Sequence, residues 1–325
     1  MSVIRAVAKG CGHYLPERVV ENEEFTKTLD TSDEWIRART GIERRHFAAD
    51  DQMTSDLAFE AAKMALANAG ITGADLDAII LATATPDQTF PATATKLQHA
   101  VGMVGGFAFD LHAVCAGFIY ALANATALIE SGHAKTVMVV GAETFSRILD
   151  FTDRGTCVLF GDGAGAIILQ AEEGDGTGGD RGVLSTDLNS DGRYNDLLYV
   201  DGGVSSTQST GVVKMQGQEV FKHAVSKLAS SGEKALELAG LADSDIDWIV
   251  PHQANLRIIK RTAQKMGVPM EHVVVTVQDH GNTSAASIPL ALSVAVERGQ
   301  VKQGDLLLLE AIGGGLAWGA AAIRW

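Results

Sequence analysis

The chain is organised around Ala65-Leu-Ala-Asn-Ala-Gly-Ile-Thr-Gly-Ala-Asp-Leu-Asp-Ala-Ile-Ile80. This stretch returns without a gap at residues 235–250 as Ala-Leu-Glu-Leu-Ala-Gly-Leu-Ala-Asp-Ser-Asp-Ile-Asp-Trp-Ile-Val. Each copy has the pattern of a helix end, a turn and the start of a buried strand. The apolar runs Val137–Val140 and Leu307–Glu310 keep the same offset of 170 residues. Self-similarity at a fixed offset indicates a duplicated unit.

The duplication predicts an α/β protein whose halves each run helix–strand–helix–strand. Two such halves packed back to back would give stacked layers of helix and sheet. The Gly-rich polar segment Gly174–Asp180 is the best candidate for the connection between them. We therefore expect one half at residues 1–173 and the other at residues 174–325. In this scheme the turn at Cys115 has its counterpart near Gly281-Asn-Thr.

Composition limits the class of protein. The 325 residues carry a formal net charge of −14. Hydrophobic residues make up 46% of the chain and charged residues 20%, which is typical of a globular enzyme. The acidic balance argues against nucleic acid as a partner. Neither a signal peptide nor an apolar run of membrane-spanning length is evident, so no membrane is expected. Cys11, Cys115 and Cys157 lie far apart, which argues against disulfides or a zinc site and favours the cytoplasm.

Hydrophobic periodicity and turn residues predict the remaining elements. Thr31 or Ser32 is suited to cap a helix that carries Trp35 and Arg39 on one face. Cys11 is expected in a turn, and Cys157 in a buried strand. The patterns predict strands at Val3–Ala8, Ala78–Ala84, Gly105–Leu111, Thr136–Val140, Ile246–Val250 and Val273–Val277, helices at Thr54–Ala69 and Ala116–Ile129, and an irregular segment at Asp187–Ser209.

Cys115 falls where a short, apparently buried strand gives way to an apolar helix, so its sulfur is expected in the first helical turn. Unpaired N–H groups there carry partial positive charge, which favours the nucleophilic thiolate. The alternative is an inert buried cysteine, which is the commoner case for an intracellular cysteine. Small neighbours at Ala113, Ala116 and Gly117 leave room for a substrate, and both interpretations stay open on these grounds.

Two polar motifs, Pro251-His-Gln-Ala-Asn and His280-Gly-Asn-Thr-Ser, each follow a predicted strand. The C-terminal ends of strands are where open α/β folds place their ligands. Taken singly, His252 is more often a core histidine, and Asn282 is more often a turn residue. Together with Cys115 and the Gly313-Gly-Gly turn, they supply a nucleophile, two neutral hydrogen-bond donors and a backbone oxyanion hole.

With these motifs in this order, the chain resembles the β-ketoacyl-acyl carrier protein synthase III family, the initiating condensing enzymes of bacterial fatty acid synthesis, which have the thiolase fold. The similarity runs from Leu15 to Trp325. Related elongating synthases use two histidines, and thiolases carry a second cysteine near the C-terminus. This chain has Asn282 and no cysteine after Cys157, which favours the initiating class. The motifs that carry the resemblance are Cys115-Ala-Gly, His252-Gln-Ala-Asn, His280-Gly-Asn-Thr-Ser and Gly313-Gly-Gly.

The resemblance implies a two-step reaction. Cys115 would take the acyl group of acyl-CoA as a thioester. Malonyl-acyl carrier protein would then lose CO2, and the resulting carbanion would attack that thioester. His252, through Nε2–H, and the Asn282 amide would stabilise the enolate oxygen, while the backbone N–H groups of Cys115 and Gly314 would hold the acyl carbonyl oxygen. No cofactor or metal is implied, because acyl-CoA is a substrate and decarboxylation supplies the electron pair.

The resemblance also assigns the substrate contacts. Trp35 and Arg154 would sandwich the CoA adenine. Phe90 would close the acyl pocket of a neighbouring subunit, which implies a homodimer. Ile312 stands where an aromatic residue is expected, and we expect acetyl-CoA in preference to branched primers. The other implied contacts are Arg39 and Thr40 near the nucleotide, and Gly217, Phe221, Ala254 and Asn255 along the pantetheine tunnel.

A basic helix is predicted at Asn255–Lys265. Arg257, Arg261 and Lys265 follow one another at helical spacing with Lys260 beside them, and no acidic residue interrupts the segment. A solvated helix face is the plain alternative. Acyl carrier proteins are acidic, so complementary charge would steer their docking. We expect this helix to receive the carrier protein, with Arg257 closest to the tunnel entrance.

Three other functions stay open at this point. A related condensing enzyme of secondary metabolism, such as a quinolone or polyketide starter synthase, would share the same triad. An acyl-CoA thioesterase would need a base to activate water, and no paired carboxylate stands near the motifs. A non-catalytic partner subunit of a synthase pair would lack the nucleophile, whereas Cys115 is present.

Overall fold

Strands and helices alternate along most of the chain, which the computed structural model describes for residues 2–325. Short 3₁₀ turns at Val114–Ala116 and Ser284–Ala286 lead directly into two of the helices. The strands are β1 (Val3–Tyr14), β2 (Arg18–Glu21), β3 (Arg44–Phe47), β4 (Ala78–Ala82), β5 (Phe107–Leu111), β6 (Thr136–Glu143), β7 (Gly163–Gly174), β8 (Gly182–Ser190), β9 (Leu198–Val200), β10 (Val213–Met215), β11 (Trp248–Pro251), β12 (Leu306–Gly313) and β13 (Ala317–Arg324). The helices are α1 (Asn22–Thr26), α2 (Asp33–Thr40), α3 (Thr54–Ala69), α4 (Thr93–Ala100), α5 (Gly117–Glu130), α6 (Gly217–Ala239), α7 (Leu256–Lys265), α8 (Val277–His280) and α9 (Ser287–Glu297).

Two sheets form the framework. The first has the strand order β1-β7-β6-β4-β5, and the second has the order β11-β12-β13-β8. β4 pairs in parallel with β5 and β6, and β11 pairs in parallel with β12. In chain order, β7 is the last strand of the first sheet and ends at Gly174, and β8 is the first strand of the second sheet and begins at Gly182. The division of the halves between residues 173 and 174 stays a prediction.

The two sheets enclose a shared helical layer. α5 and α9 are buried between them, and one apolar cluster joins Phe118 and Leu122 of α5, Leu292 of α9, Ile80 of the first sheet and Leu309 of the second. Such helices are apolar all round, because both faces pack against protein. α3 and α4 cover the outer face of the first sheet, while α6 and α7 cover that of the second. The predicted stacking of helix and sheet layers is confirmed.

The 170-residue repeat is preserved in the register of the sheets. Ala78 on β4 faces Val137 on β6, and Trp248 on β11 faces Leu307 on β12. Helices α3 and α6 end at glycines with nearly equal positive φ, 69° at Gly70 and 70° at Gly240, as left-handed helix caps require. The counterpart of the Cys115 turn is the 3₁₀ turn Ser284–Ala286, which begins two residues after Asn282.

The prediction for the first strand is wrong at its C-terminal end. β1 continues through the expected turn to Tyr14, and Cys11 pairs with Ile167 of β7. A Cβ at Gly10 would lie 2.5 Å from the backbone nitrogen of Ala69, and one at Gly12 would lie 2.3 Å from the carbonyl oxygen of Ala61. These glycines therefore allow β1 to approach α3, and they do not mark a turn.

The strand predicted at Val273–Val277 is also wrong. Only Val273 forms a bridge, to Ile249 of β11, and α8 begins at Val277. The side chain of Gln253 takes the place of a neighbouring strand: its Oε1 accepts the N–H groups of Thr276 and Val277 at 2.8 and 3.1 Å. The motif containing Asn282 therefore begins at the last residue of a short helix, which is held by a side-chain amide.

Three smaller predictions need correction. Cys157 is buried, but it lies in a series of turns before β7 and not in a strand. The segment Asp187–Ser209 is not irregular throughout, because its first four residues belong to β8, which pairs with β13, and β9 also lies within it. β5 is only partly buried, because it is the edge strand of the first sheet. Among residues 2–325, no helix is both long and apolar enough to cross a membrane.

Candidate active site

Cys115 lies in the 3₁₀ turn between β5 and α5 and is 3% exposed. The preceding residue, Val114, has a φ of +49°, which a β-branched residue adopts only under constraint. A Cβ at Gly313 would come within 2.7 Å of the Cys115 backbone nitrogen. The absence of a side chain at Gly313 therefore allows the end of β12 to pack closely against this amide. The adjacent Gly314 was the predicted second oxyanion donor.

The pKa of the Cys115 thiol is raised, and the predicted lowering is wrong. Burial is the largest cause and brings the pKa to about 12, with the Glu143 carboxylate acting in the same direction. The Ser284 hydroxyl and the Cys115 backbone N–H oppose the rise. Removal of the thiolate from water thus outweighs the favourable position before α5. Burial of Cys115 therefore favours the neutral thiol over the thiolate.

His252 directly follows β11 and is anchored on both sides. Its backbone N–H donates to the carbonyl of Glu310 at 2.8 Å, and its Nδ1 lies 2.6 Å from the hydroxyl of Ser287, the first residue of α9. Burial lowers the pKa of His252 to about 3, so the imidazole is neutral throughout the physiological range. A neutral imidazole carries one N–H, which makes it a hydrogen-bond donor of fixed direction.

Asn282 is fixed by both its backbone and its side chain. Its N–H donates to the Leu159 carbonyl at 2.8 Å, and its own carbonyl accepts the Gly161 N–H at 2.9 Å. The side-chain Oδ1 accepts the N–H of Ser284 at 2.9 Å. With Oδ1 held in this way, the amide presents Nδ2–H2 on its other side, as the predicted donor role requires.

The three predicted catalytic residues belong to segments that meet. The 3₁₀ turn of Cys115 packs against the 3₁₀ turn Ser284–Ala286 and against the end of β12. The second turn connects Asn282 to Ser287, which touches His252. The arrangement can supply a nucleophile and neutral donors at one place. No cluster of three or more metal-ligating His, Cys, Asp or Glu side chains occurs within residues 2–325.

Three of the predicted nucleotide residues, Trp35, Arg39 and Arg154, lie together at the surface. Ser32 caps α2 by accepting the Trp35 N–H at 3.1 Å, which confirms the predicted cap. The guanidinium carbons of Arg39 and Arg154 lie 4.7 and 5.0 Å from the centre of the Trp35 ring. Cation–π stacking of this kind defines an aromatic and basic surface. Insertion of a purine between Trp35 and Arg154 would require the guanidinium to move outward.

Two predicted contact residues are engaged within the protein. Thr40 is buried, and its hydroxyl donates to Ile36 O at 2.7 Å and accepts the Ile42 N–H at 3.0 Å. Its side chain therefore stabilises the end of α2 and does not face a groove. Asn255 caps α7 through the Arg257 N–H at 2.8 Å and donates to the Arg39 carbonyl at 3.1 Å. Asn255 therefore ties α7 to α2.

The remaining predicted tunnel and pocket residues do not all lie together. Phe221 and Ala254 pack against the cluster that contains Ile312 and Leu316, so the predicted tunnel wall continues into the predicted acyl pocket. Gly217 begins α6 and is exposed. Phe90 is 81% exposed in this single chain. A cleft of about 1020 Å³ runs beside the Cys115 turn, and its walls include Val114, Gly314 and the Pro86–Thr89 loop that leads to Phe90.

The predicted basic helix is α7, and its four cationic side chains are exposed. We call them the basic face: Arg257, Lys260, Arg261 and Lys265. Within residues 2–325, none of them lies within 4.0 Å of a carboxylate. The guanidinium of Arg257 stacks over Phe221 at 5.4 Å, which joins one end of the basic face to the predicted tunnel wall.

Sequence reasoning missed three buried residues near this site. Glu143 ends β6 and accepts hydrogen bonds from Thr85 Oγ1 at 2.5 Å and Thr83 Oγ1 at 3.1 Å, while burial raises its pKa to about 7. Ser284 and Ser287 flank the second 3₁₀ turn. A carboxylate at the end of an otherwise apolar strand pattern was a usable signal for Glu143. Ser284 belongs to the motif around Asn282, although nothing in the sequence marked its own contacts, and Ser287 carried no signal because its partner His252 is 35 residues away.

Comparisons with known proteins agree on one family. Residues 109–192 match the family described as 3-Oxoacyl-[acyl-carrier-protein (ACP)] synthase III, and residues 236–325 match its C-terminal model. The beta-ketoacyl-[acyl-carrier-protein] synthase III of Ruegeria pomeroyi is 70% identical over 321 residues, which cover 99% of each chain.

Solved structures show the same likeness in three dimensions. The 3-oxoacyl-[acyl-carrier-protein] synthase III of Aquifex aeolicus VF5 superposes with a TM-score of 0.92 at 44% identity, covering 98% of this chain and 100% of that one. The priming beta-ketosynthase of the R1128 polyketide pathway gives a TM-score of 0.91 at 36% identity, covering 99% and 96%.

Proposed function

Because this chain belongs to the 3-oxoacyl-[acyl-carrier-protein] synthase III family, we propose that Cys115 is the nucleophile with which it carries out that family's condensation. The protein is an acyltransferase of the thiolase fold that joins an acyl-CoA to malonyl-acyl carrier protein and so initiates fatty acid synthesis. The observation that carries the residue assignment is the packing of the Cys115 turn against the turn that links Asn282 to Ser287 and His252.

In the first half-reaction the Cys115 sulfur attacks the thioester carbonyl of acyl-CoA. A new S–C bond forms, the bond to the CoA sulfur breaks, and the thiol proton leaves on the CoA thiol. The negative charge on the carbonyl oxygen develops beside the backbone N–H groups of Cys115 and Gly314. The missing side chain at Gly313 supports this role, because it leaves the Cys115 amide approachable.

In the second half-reaction malonyl-acyl carrier protein loses CO2, and the electron pair of the broken C–C bond passes into an enolate. The neutral imidazole of His252 and the Asn282 amide donate to the enolate oxygen. The enolate carbon then bonds to the acyl carbon of the thioester, and the Cys115 sulfur leaves as a thiolate that takes up a proton from solvent. The electrons come from decarboxylation, so no cofactor is required.

The CoA nucleotide binds at Trp35, Arg39 and Arg154, and the pantetheine arm passes Gly217, Phe221 and Ala254. The stacked cations around Trp35 support this site, since a purine and a phosphate need an aromatic face and positive charge. Asn255 contributes by holding α7 against α2. Thr40 is left out of the proposed contacts because its hydroxyl is already engaged.

The working form is a homodimer in which Phe90 of each subunit closes the acyl pocket of the other. The exposure of Phe90, the unpaired edge of β5 and the cleft beside Val114 support this arrangement. Ile312 shapes the inner end of that pocket, and acetyl-CoA is the primer. The acidic acyl carrier protein docks on the basic face of α7, next to Phe221.

The deciding experiment supplies the protein with malonyl-acyl carrier protein and, in turn, acetyl-CoA and branched or longer acyl-CoAs, and identifies the products by mass. Acetoacetyl-acyl carrier protein from acetyl-CoA supports the full proposal. Preference for a long or aromatic starter would favour a secondary-metabolite role. Free fatty acid with no condensation product would identify a thioesterase and reject the proposal.

A further inference from the structure

The hydrogen bond between His252 and Ser287 bears on which ring nitrogen of the histidine carries its proton. A neutral imidazole has one N–H, on Nδ1 or on Nε2, and the partner of one nitrogen selects the tautomer. His252 can donate to an enolate through Nε2 only if Nδ1 is unprotonated. Its Nδ1 is 2.6 Å from Ser287 Oγ, so Ser287 is the residue that decides this point.

The hydrogen-bond partners of the Ser287 hydroxyl determine the direction of that bond. Within residues 2–325, Ser287 Oγ has two hydrogen-bond partners: the Gln253 backbone N–H at 3.4 Å and His252 Nδ1. The backbone N–H can only donate, so the oxygen accepts from it. The hydroxyl proton is then satisfied only if it is donated to Nδ1. The opposite direction would leave a hydroxyl proton unpaired in the interior, which is unfavourable.

We infer that Ser287 is a positioning residue that holds His252 in the Nε2–H tautomer by donating its hydroxyl to Nδ1. Both side chains are buried, and Gln253 fixes the geometry: its Nε2 donates to the carbonyls of Pro251 and Val274 at 2.8 and 3.1 Å. The inference rests on the proposed donor role of His252 and deepens it.

The repeat shows that the fold alone does not require this hydroxyl. The residue 170 positions earlier, Gly117, likewise begins its helix, α5. A Cβ there would lie 3.1 Å from the Cβ of Ala82 and 3.5 Å from that of Ala285. The half with Cys115 therefore has the smallest residue at this position, and the half with His252 has a donor.

α9 also offers a matched control. Ser293 is buried on the same helix and its hydroxyl lies 2.9 Å from Nδ1 of another histidine, His13 on β1. Ser293→Ala removes the same group from the same kind of pair, away from the proposed catalytic residues. A loss that follows from weakening α9 would appear in both variants, whereas a loss of tautomer control would appear only in Ser287→Ala.

The test reads the tautomer directly by NMR of the full protein labelled with ¹⁵N-histidine, with His252→Gln used to assign the resonance. We expect His252 protonated at Nε2 in the wild type and in Ser293→Ala, and a mixture of tautomers in Ser287→Ala. A wild-type His252 protonated at Nδ1 would overturn the inference. So would an unchanged tautomer in Ser287→Ala.

Kinetics provide the second arm. Ser287→Ala should lower kcat for condensation by about 10- to 100-fold, less than the roughly 100- to 1000-fold cost of removing a donor outright, because part of the His252 population keeps the Nε2–H tautomer. The change in KM for malonyl-acyl carrier protein should be smaller. Equal losses in Ser287→Ala and Ser293→Ala would reject tautomer control. His252→Ala tests the underlying donor role separately: if decarboxylation survived in that variant, the proposed function of His252 would fail whatever the spectrum showed.

Discussion

The side-chain oxygen of Asn282 accepts the backbone N–H of Ser284 at 2.9 Å, across one intervening residue. This short loop fixes the amide, because a backbone N–H can pair only with the oxygen and never with Nδ2. The backbone of Thr283, with a φ of −96° and a ψ of 25°, brings the Ser284 N–H to that position. The donor end of Asn282 is thus oriented before any substrate arrives, which is the condition for effective stabilisation of developing charge.

The first prediction separates the two half-reactions through Asn282. Asn282→Ala removes a donor aimed at the malonyl thioester and not at acyl-CoA. Acylation of Cys115 should persist, while decarboxylation should slow by about 100-fold, as for the loss of one oxyanion donor. The rates are measured by the mass of the acyl-enzyme and by release of CO2. Equal loss of both steps would show that Asn282 is structural.

The second prediction concerns the covalent intermediate. Cys115→Ser should abolish condensation, because an alkoxide is much harder to form than a thiolate. Incubation of the wild type with acyl-CoA should add the mass of one acyl group, and the variant should add none. Cys11 and Cys157 are the other thiols of the chain. An acyl group mapped to either of them would contradict the assignment.

The third prediction follows from the pKa of Cys115, which burial raises to about 12. The fraction of thiolate then rises tenfold per pH unit throughout the neutral range. The rate of alkylation of Cys115 by iodoacetamide should therefore increase steadily from pH 6 to pH 9, with no plateau. Mass spectrometry of the Cys115 peptide gives the rate. A plateau at or below pH 7 would mean that the helix end outweighs burial after all.

The repeat was the most predictive feature of the sequence because it encodes pairing. Asp77 and Asp247, 170 residues apart, each donate a backbone N–H to the following parallel strand, at Thr136 O and Leu306 O. The carboxylate of each also accepts a backbone N–H from that strand at 2.9 or 2.7 Å. Because equivalent side chains make equivalent contacts, the repeat in the sequence predicts the same strand pairing in both sheets.

What the sequence could not predict depends on contacts between distant segments. Val273–Val277 has the pattern of a strand, but the amide of Gln253 competes successfully for its backbone groups. The pKa of Cys115 depends on how completely the 3₁₀ turn Ser284–Ala286 and β12 exclude water from it. Ser287 lies 35 residues from His252, and no local pattern marks a serine at the start of a helix as a partner of a histidine.

The fourth prediction uses Glu310, whose buried Oε2 has no hydrogen-bond partner within residues 2–325. Burial raises its pKa from 4.5 to about 8, so the folded state holds the proton more tightly. Stability should therefore fall as pH rises from about 4.5 to 8. Glu310→Gln removes this pH-dependent loss of stability, because glutamine does not ionise. Each unit by which the pKa differs between the folded and unfolded states changes the free energy of unfolding by about 1.4 kcal/mol.

Urea unfolding of both proteins at pH 5 and pH 8.5 measures the effect. The free energy of unfolding of the Gln variant relative to the wild type should increase by a few kcal/mol between the two pH values. Glu271→Gln, at an exposed carboxylate of the second half, controls for the loss of surface charge. Parallel pH profiles for Glu310→Gln and the wild type would show that Glu310 ionises without a penalty in the folded protein.

The fifth prediction concerns the basic face of α7. Arg257→Glu combined with Arg261→Glu should raise KM for malonyl-acyl carrier protein, and more at low salt, because screening weakens the attraction that steers an acidic partner. Acylation from acyl-CoA should change little, since the proposed nucleotide site is at Trp35 and Arg154.

The control for the basic face is Lys135→Glu combined with Lys302→Glu, which gives the same change in net charge. Both lysines are exposed and lie near the N-terminal ends of β6 and β12, at the edge of the sheets away from the site. If both double variants affected KM equally, only overall charge would matter. If neither did at low ionic strength, the carrier protein would dock elsewhere.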